Sequence, residues 1–321
     1  MKRGIRSIVL AMVLFFVTAQ PALAVRLLVP GGQLVGLELS NDIVTVAAFE
    51  DSCPAAREAG LQIGDQILRV DGQAVSSAED VRRALKNSGA EVALNILRGS
   101  KELSLTVSPA VTGGEKRLGV YLRQGIAGVG TVTYYDPEDG SFGTLGHGVS
   151  DNRGGLLILK SGQACAATAA SVKKGRAGDP GQIRGSARAE DIFGKVTKNT
   201  PQGVFGSCAI QLKGEPLPIA AYEDVKIGPA TIRSTVSGST LGEYSVEILK
   251  VYPQSRTDCR NFLIRVTDPA LLKATGGIIQ GMSGSPIIQD GKLVGAVTHV
   301  LVNDPTRGYG IFIENMLEAA G

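Results

Sequence analysis

Residues 276–300, GGIIQGMSGSPIIQDGKLVGAVTHV, are the most informative stretch for the fold. Two apolar runs flank Asp290-Gly291, and this pattern predicts a β-hairpin because Asp-Gly favours a tight two-residue turn. The hexapeptide GMSGSP at 281–286 comes just before the hairpin. Its glycines allow the backbone to turn tightly, so that N–H groups can point at one spot. A serine here is either a simple turn residue or a nucleophile, and the rest of the chain must decide.

The hexapeptide has the parts that a nucleophile loop needs. A serine hydroxyl reacts only when a base removes its proton and N–H donors stabilise the oxyanion. Ser283 is the predicted nucleophile, and the N–H groups of Gly281 and Ser283 are the predicted oxyanion hole. A Gly-x-Ser-Gly-x-Pro loop followed by a hairpin resembles the corresponding loop of trypsin-like serine peptidases. By this resemblance, Val297, Thr298 and His299 bind the substrate backbone.

The base must be a histidine, and the chain contains two. His147 lies in TLGHGVSD, a glycine-flanked loop after a predicted strand, where its side chain is expected to be exposed. We therefore predict His147 as the base, with a simple turn residue as the alternative. His299 lies in the apolar strand GAVTHVLV, and we predict a partly buried residue beside the substrate cleft.

The acid that would orient the base is not determined by the residues alone. The candidates are Asp136, Asp151, Asp179, Asp191 and Asp268. Asp268 ends a predicted strand and precedes a proline, so its carboxylate could project from a rigid position. It could equally cap the helix that PALLKA predicts, since aspartate before proline is a common helix start. Both roles remain open at this level.

Residues 28–108 alternate predicted strands with turns and two helices. A hairpin is predicted to turn near residues 40–42, and SSAEDVRRALKN at 76–87 predicts an amphipathic helix with a serine cap. A second hairpin is predicted at Arg98-Gly99. This order resembles a PDZ domain, which binds a peptide as an added strand. The resemblance implies a carboxylate-binding loop formed by Leu34, Val35, Gly36 and Leu37.

The remainder of the chain predicts a second, β-rich unit. The segment VTGGEKR at 111–117 has the composition of a linker, and several strand-like runs follow it, such as GVFGSCAIQL and NFLIRVTD. No comparably long helical run occurs before ENMLEAA near the C-terminus. This pattern predicts a β-barrel or a pair of barrels.

Bulk composition limits the classes of partner. The formal net charge is only +3 and the basic residues are scattered, so a nucleic-acid partner is not expected. Phosphate-binding glycine loops are absent and only two histidines are present, so we expect no cofactor and no metal site. Four cysteines show no CxxC or metal-site spacing, and the sequence leaves open whether any of them form a disulfide: Cys53, Cys165, Cys208 and Cys259.

Residues 1–24, MKRGIRSIVLAMVLFFVTAQPALA, have the three parts of an export signal. A basic start is followed by the apolar run 8–17 and by Ala22-Leu23-Ala24, an A-x-A cleavage pattern. The apolar run is short for a transmembrane helix. We therefore predict export, with the segment acting as a cleaved signal or as a signal anchor.

Taken together, these motifs resemble the S55 family of sporulation serine peptidases over nearly the whole chain. The resemblance implies a mainly β protein with a PDZ domain at 25–108. It also implies a trypsin-like (chymotrypsin-type) double β-barrel peptidase domain at 109–321. The catalytic triad implied by the family is Ser283, His147 and Asp268.

The family resemblance also implies a cellular role. The expected location is the intermembrane space of the forespore, reached by export across the forespore membrane. The expected partner is a membrane-anchored substrate, a regulator of the stage IV sporulation protein FA type. Its cleavage would trigger intramembrane processing of pro-sigma-K, and self-cleavage in trans is expected too. The alternative is a non-catalytic exported scaffold whose PDZ domain binds protein termini, in which Ser283 and His147 would tolerate alanine.

Overall fold

A computed structural model describes residues 26–151, 154–208 and 214–321. The predicted export signal at 1–24 lies outside these residues. None of the described helices is long and apolar enough to cross a membrane. The described strands are β1 (Leu27–Pro30), β2 (Leu34–Phe49), β3 (Gln66–Val70), β4 (Gln73–Ala74), β5 (Val92–Arg98), β6 (Lys101–Val107), β7 (Ala110–Thr112), β8 (Glu115–Arg117), β9 (Val120–Tyr135), β10 (Ser141–Thr144), β11 (Ser161–Lys173), β12 (Gln182–Thr200), β13 (Gly203–Cys208), β14 (Leu217–Pro218), β15 (Gly228–Ser237), β16 (Thr240–Val251), β17 (Phe262–Val266), β18 (Pro286–Gln289), β19 (Lys292–Leu301) and β20 (Asp304–Phe312). The described α-helices are α1 (Ala55–Glu58), α2 (Ala78–Asn87), α3 (Pro269–Thr275) and α4 (Ile313–Ala320), and a 3-10 turn spans Tyr222–Asp224.

Six strands form a first closed ring. β9 pairs with β10, then follow β13, β12, β11 and β2, and β2 pairs back to β9. Alternate side chains of these strands point inward, because successive residues of a strand face opposite sides of the sheet. Val35, Leu37, Val132 and Phe142 are among the buried residues of this core.

Six later strands form a second closed barrel, in the order β15-β16-β17-β20-β19-β18. Its core contains Ile232, Ile248, Phe262 and Phe312, all nearly inaccessible to solvent. Closing a sheet on itself leaves no unpaired edges, which suits a chain with many short antiparallel strands. Two six-stranded antiparallel barrels confirm the predicted mainly β, double-barrel architecture.

The PDZ unit grows out of the first barrel. Beyond Leu39, β2 leaves the barrel: Val44 and Thr45 pair with β3, while residues 44–49 stay paired to 120–124 of β9. β5 and β6 extend this sheet, and α1 and α2 cover it. Because β1 and the first half of β2 already belong to the peptidase sheets, the PDZ unit is inserted into the barrel.

Two local predictions are wrong for a tertiary reason. Residues 40–42 do not turn a hairpin, because β2 runs on through them with a register shift between Leu39 and Val44. The predicted linker VTGGEKR is the tight hairpin β7–β8, whose turn residues Gly113 and Gly114 have positive φ angles. In each case the residue types alone did not show which segments would pair as strands.

Other local predictions are confirmed. α2 begins after Ser77, whose side chain accepts a hydrogen bond from the Asp80 N–H as a helix cap does. β5 and β6 meet at the predicted Arg98-Gly99 turn, and β18 and β19 meet at Asp290-Gly291. These elements depend on neighbours within a few residues, and the sequence therefore predicts them well.

Candidate active site

The nucleophile loop lies between α3 and β18, at the surface of the second barrel that faces the first. Gly281 and Gly284 have φ angles of 100° and 95°, which side-chain-bearing residues rarely adopt. A Cβ atom at Gly284 would stand 2.1 Å from the Thr131 carbonyl oxygen. The loop therefore presses against β9 of the first barrel, and only glycine fits at this contact.

Ser283 lies between these two glycines and is half-buried. Its Oγ donates a hydrogen bond of 2.9 Å to the Thr298 carbonyl of β19. Among the described residues, no backbone carbonyl accepts from the N–H groups of Gly281 or Ser283. Both residues line a cavity of about 510 Å³. The two N–H groups are therefore available to an oxyanion, although the Ser283 hydroxyl itself is hydrogen-bonded to the Thr298 carbonyl.

His147 lies on the other side of this cavity, on the loop that follows β10. Leu145 and Gly146 take left-handed conformations, with φ angles of 69° and 66°, and bend the chain sharply before the histidine. His147 Nδ1 lies 2.9 Å from the Gly148 carbonyl oxygen. A carbonyl only accepts, so Nδ1 carries the proton and Nε2 keeps its lone pair. Burial lowers the pKa of His147, which keeps the ring neutral near pH 7.

His299 brings a second imidazole to the same cavity. Its ring centroid lies 5.4 Å from that of His147, and its Nδ1 is buried with no hydrogen-bond partner among the described residues. Burial, followed by the nearby His147 and Arg260, lowers the pKa of His299 to about 4. Both imidazoles are therefore neutral at neutral pH. His299 thus lies beside a cavity, in line with its predicted place beside a cleft.

Asp268 is not brought to the cavity. Its carboxylate accepts hydrogen bonds of 2.9 Å from the N–H groups of Ala270 and Leu271, the first turn of α3. A third, longer contact of 3.4 Å comes from the Ser245 N–H. Of the two roles that the sequence left open, the structure places Asp268 in that of the helix cap. The described residues give the His147 ring no hydrogen bond or ion pair with a carboxylate.

The predicted substrate strand needs a correction as well. The Val297 N–H donates to the Ser285 carbonyl and the Val297 carbonyl accepts from the Gly284 N–H, so neither group can pair with a substrate. The Thr298 hydroxyl is turned inward and donates to carbonyls of the second barrel. Of the three predicted residues, only His299 lines the cavity. Val297 and Thr298 instead make hydrogen bonds within the protein, and the apolar pattern of the sequence alone could not reveal this.

The predicted carboxylate-binding loop at Leu34–Leu37 is corrected by the sheet pairing. One edge of this stretch pairs with β9 and the other with β11, as part of the first barrel. Its side chains at Leu34, Val35 and Leu37 are buried. With both edges occupied, no row of N–H groups is left for a peptide.

A different groove lies on the PDZ unit, between α2 and residues 118–122. Val81 and Leu85 of α2 form one wall, and the strand that starts β9 forms the other. This strand pairs with β2 on one side, and no described strand pairs with its other side. Both basic and acidic side chains line the same groove: Arg82, Lys116, Arg117, Glu50 and Glu115. The motif KRLGVYL, with its glycine between apolar residues, is the signal in the sequence that could have located this groove.

None of the four cysteines forms a disulfide with another cysteine among the described residues. Cys259 is buried and its Sγ lies 3.0 Å from the Pro201 carbonyl oxygen. Within residues 26–151, 154–208 and 214–321, no group of three or more His, Cys, Asp or Glu side chains is arranged to hold a metal ion. None of these groups adds chemistry to the cavity of Ser283 and His147.

Double barrels with a serine in a glycine turn and a histidine in the facing loop are the arrangement of a trypsin-like serine peptidase, here carrying a PDZ domain. Comparison with known families agrees. The SpoIVB peptidase S55 family model matches residues 114–317, which is more than half of the chain, and a PDZ domain model matches residues 31–108. The chain belongs to the SpoIVB peptidase S55 family and is a serine peptidase.

Individual relatives match shorter parts of the chain. Serine protease HTRA1 of Xenopus tropicalis is 41% identical over 54 residues, which are 17% of this chain and 12% of that protein. A Vibrio cholerae protein named as a zinc metalloprotease is 31% identical over 145 residues, 45% of this chain and 30% of its own. The chain thus spans less than a third of either relative. The active form of the Rv3671c protease of M. tuberculosis is 17% identical with a TM-score of 0.40, covering 61% of this chain and 75% of that one.

Proposed function

We propose that this chain is an exported serine endopeptidase in which Ser283 is the nucleophile and His147 the base. The observation that carries the proposal is the shared cavity. It holds the Ser283 hydroxyl, the neutral His147 ring and two N–H groups without a backbone acceptor among the described residues. These are the three components that acyl transfer requires: a nucleophile, a proton acceptor and an oxyanion site.

The mechanism begins when the Ser283 hydroxyl leaves the Thr298 carbonyl and turns towards His147 Nε2. As Oγ attacks the scissile carbonyl carbon, Nε2 takes the hydroxyl proton, and the N–H groups of Gly281 and Ser283 bind the oxyanion. The tetrahedral species collapses when His147 gives its proton to the leaving amine, which leaves an acyl ester on Ser283. Water, deprotonated by His147, then releases the acid product.

Orientation of the base does not require a carboxylate in this arrangement. The Gly148 carbonyl accepts the Nδ1 proton of His147 and fixes the tautomer, which is one of the tasks that an aspartate performs in other triads. Burial holds the pKa of His147 below its ordinary value, so the ring is a proton acceptor at neutral pH. A backbone carbonyl stabilises the imidazolium less than a carboxylate does, which suits a slow, highly selective peptidase.

The cavity favours an apolar substrate segment. The first barrel lines the cavity with aliphatic side chains: Leu37, Leu39, Ile126, Val129 and Leu145. Among the described residues, the two histidines are the only ionisable side chains in this lining. An uncharged wall gives no partner to a charged side chain, which would lose its hydration there. The groove beside α2, which is bounded by a strand with one unpaired edge among the described residues, is proposed to hold a second, extended segment of the substrate by strand addition.

Family membership supports a proposal for the cellular role. We propose export to the forespore intermembrane space and cleavage there of a membrane-anchored regulator of the stage IV sporulation protein FA type. That cleavage would start intramembrane processing of pro-sigma-K, and the peptidase would also cleave its own copies in trans. Incubation with the vesicle-reconstituted regulator, with Ser283→Ala as the control, tests the substrate directly.

The catalytic assignment is tested with a fluorophosphonate probe and intact-mass spectrometry of the purified full chain. Wild type should be labelled and should release fragments with time, whereas Ser283→Ala should do neither. Ser285→Ala is the matched control, because Ser285 lies in the same hexapeptide but is fully buried and bonded to Ser234. It should be labelled as wild type is.

The scaffold alternative makes the opposite prediction. If the chain only binds protein termini, wild type will be neither labelled nor fragmented. Ser283→Ala and His147→Ala will then bind peptides at the groove beside α2 as wild type does. Labelling at a residue other than Ser283 would also overturn the proposed mechanism.

A further inference from the structure

Thr131 of β9 contacts the nucleophile loop but takes no part in the catalytic steps proposed for Ser283 and His147. It is fully buried between the two barrels, directly below the nucleophile loop. Its Oγ1 donates a hydrogen bond of 2.8 Å to the Gly281 carbonyl, and its N–H donates one of 2.9 Å to the Ser283 carbonyl. One residue of the first barrel therefore holds two carbonyls of a loop that belongs to the second.

The third polar group of Thr131 faces the loop of the base. The Thr144 Oγ1 donates a hydrogen bond of 2.6 Å to the Thr131 carbonyl, and the Leu145 N–H approaches the same oxygen at 3.4 Å. Thr144 ends β10 and lies three residues before His147. The hydrogen-bonding groups of Thr131 thus reach both the nucleophile loop and the start of the histidine loop.

These bonds fix the direction of the Ser283 N–H, one of the two oxyanion donors. Holding the Gly281 carbonyl fixes the peptide plane between Gly281 and Met282, and holding the Ser283 carbonyl fixes the plane between Ser283 and Gly284. The peptide between them carries the Ser283 N–H. With both flanking planes held, only the backbone torsions of Met282 and Ser283 are left to set this N–H, and its direction is restricted.

We propose that Thr131 is a positioning residue that aligns the oxyanion hole and the histidine loop of this peptidase. The proposal rests on the proposed serine mechanism, since it assigns a role in that reaction. Because the nucleophile and the base lie on different barrels, their geometry depends on what joins the barrels at this point. Thr131 does so in a buried setting, where water does not compete for its hydrogen bonds.

The chain offers a matched set of variants. Thr131→Val keeps the shape and the backbone N–H but removes the donor to the Gly281 carbonyl, and Thr131→Ser restores that donor. Thr133→Val is the control, because Thr133 lies on the same strand, is equally buried, and has a hydroxyl with no partner among the described residues. A purely structural effect of losing a buried threonine would affect both positions.

The measurement is the rate of fluorophosphonate labelling at several probe concentrations, which separates the maximal rate kinact from the half-saturating concentration KI. Removing an oxyanion donor outright costs about 10²–10³-fold. For Thr131→Val, which leaves the donor but frees its orientation, we expect kinact to fall roughly 10- to 100-fold, with KI within about threefold. Thr131→Ser and Thr133→Val should both react close to wild type.

Several outcomes would overturn the proposal. One is a Thr131→Val variant with a wild-type kinact, and another is an equal loss in Thr133→Val. If Thr131→Val does not fold, Thr144→Val decides, because it removes only the bond to the Thr131 carbonyl and should lower kinact while the chain stays folded; an unchanged kinact there contradicts the role. Failure of the serine mechanism would look different, since wild type itself would then show no Ser283-dependent labelling.

Discussion

In the sequence, Asp268 fits two roles, the orienting acid and a helix cap, and in the structure it is the cap of α3. Its carboxylate accepts from two N–H groups in the first turn of α3, and Pro269 occupies the position where a helix needs no N–H donor. A cap of this kind contributes about 0.5–2 kcal/mol to stability. The carboxylate lies at the first turn of α3 and not beside His147, whose Nδ1 has the Gly148 carbonyl as its partner instead.

Substitution of Asp268 separates the two roles. Asparagine caps helices about as well as aspartate, so Asp268→Asn should keep both stability and labelling of Ser283 within a few-fold of wild type. Asp268→Ala should lower the free energy of unfolding by about 1 kcal/mol through loss of the cap. Urea unfolding and fluorophosphonate labelling measure the two effects. A loss near 10⁴-fold in Asp268→Asn at unchanged stability would make Asp268 the orienting acid after all.

At the scale of the elements, the active site is a contact between strand ends and loops of two barrels. β9 and β10 of the first barrel carry Thr131 and the loop of His147. In the second barrel, β18 follows the nucleophile loop and Val297 of β19 hydrogen-bonds to it at Gly284 and Ser285. Gly284 sits where these elements come closest, because its Cα faces the Thr131 carbonyl and the Leu145 N–H. The backbone of the first barrel therefore permits only glycine at position 284 of the second.

Gly284→Ala should disrupt this contact. The new Cβ would lie 2.1 Å from the Thr131 oxygen and 2.5 Å from the Leu145 nitrogen, and backbone atoms cannot yield as flexible side chains do. With the left-handed conformation added, the loss of unfolding free energy should be roughly 2–5 kcal/mol, and Ser283 should no longer be labelled.

Gly291→Ala is the control for conformation alone. Gly291 also has a positive φ, of 74°, but nothing lies within 4 Å of its Cβ position. It should lose only about 1–2 kcal/mol and keep its labelling. Equal losses in the two variants, measured by urea unfolding, would show that the close approach at Gly284 is unimportant.

On the scale of the whole molecule, the two functional units share their strands. β2 and β9 each have 16 residues, and each begins or ends in one unit and continues into the other. The groove beside α2 is bounded by the same strand that carries Thr131 further along. The peptidase family match begins at residue 114, whereas the barrel already needs β2 from before the PDZ unit.

Removing the PDZ unit should therefore succeed or fail according to where the chain is cut. The fragment 109–321 lacks β2, so β9 and β11 lose the strand between them and the first barrel cannot close; we expect it not to fold. A chain that joins Leu39 to Ile126 by a short glycine-rich turn keeps the barrel, because these residues are cross-strand partners.

Circular dichroism melting and fluorophosphonate labelling test both chains. The joined chain should melt cooperatively and be labelled at Ser283, while 109–321 should show neither behaviour. A folded, labelled 109–321 would contradict the inserted arrangement. A joined chain that fails to melt cooperatively would show that the barrel depends on PDZ packing beyond its shared strands.

The sequence by itself determined the features that depend on near neighbours. The nucleophile turn, the hairpin at Asp290-Gly291 and the capped helix α2 follow from glycine conformations, turn chemistry and helix periodicity. The mainly β class followed from composition, and the identity of the two barrels from resemblance to a family. His147 and Ser283 stood out because glycines flank them, and the structure places them at one cavity.

Only the tertiary structure decided which strands become neighbours. Leu34–Leu37 looks the same whether it borders a peptide groove or lies between β9 and β11, because strand pairing joins residues more than 90 positions apart. The same holds for the choice between the two roles of Asp268 and for the contacts of Thr131. Backbone hydrogen bonds between strands are alike for every sequence, so the partner is chosen by how the whole chain fills its two barrels.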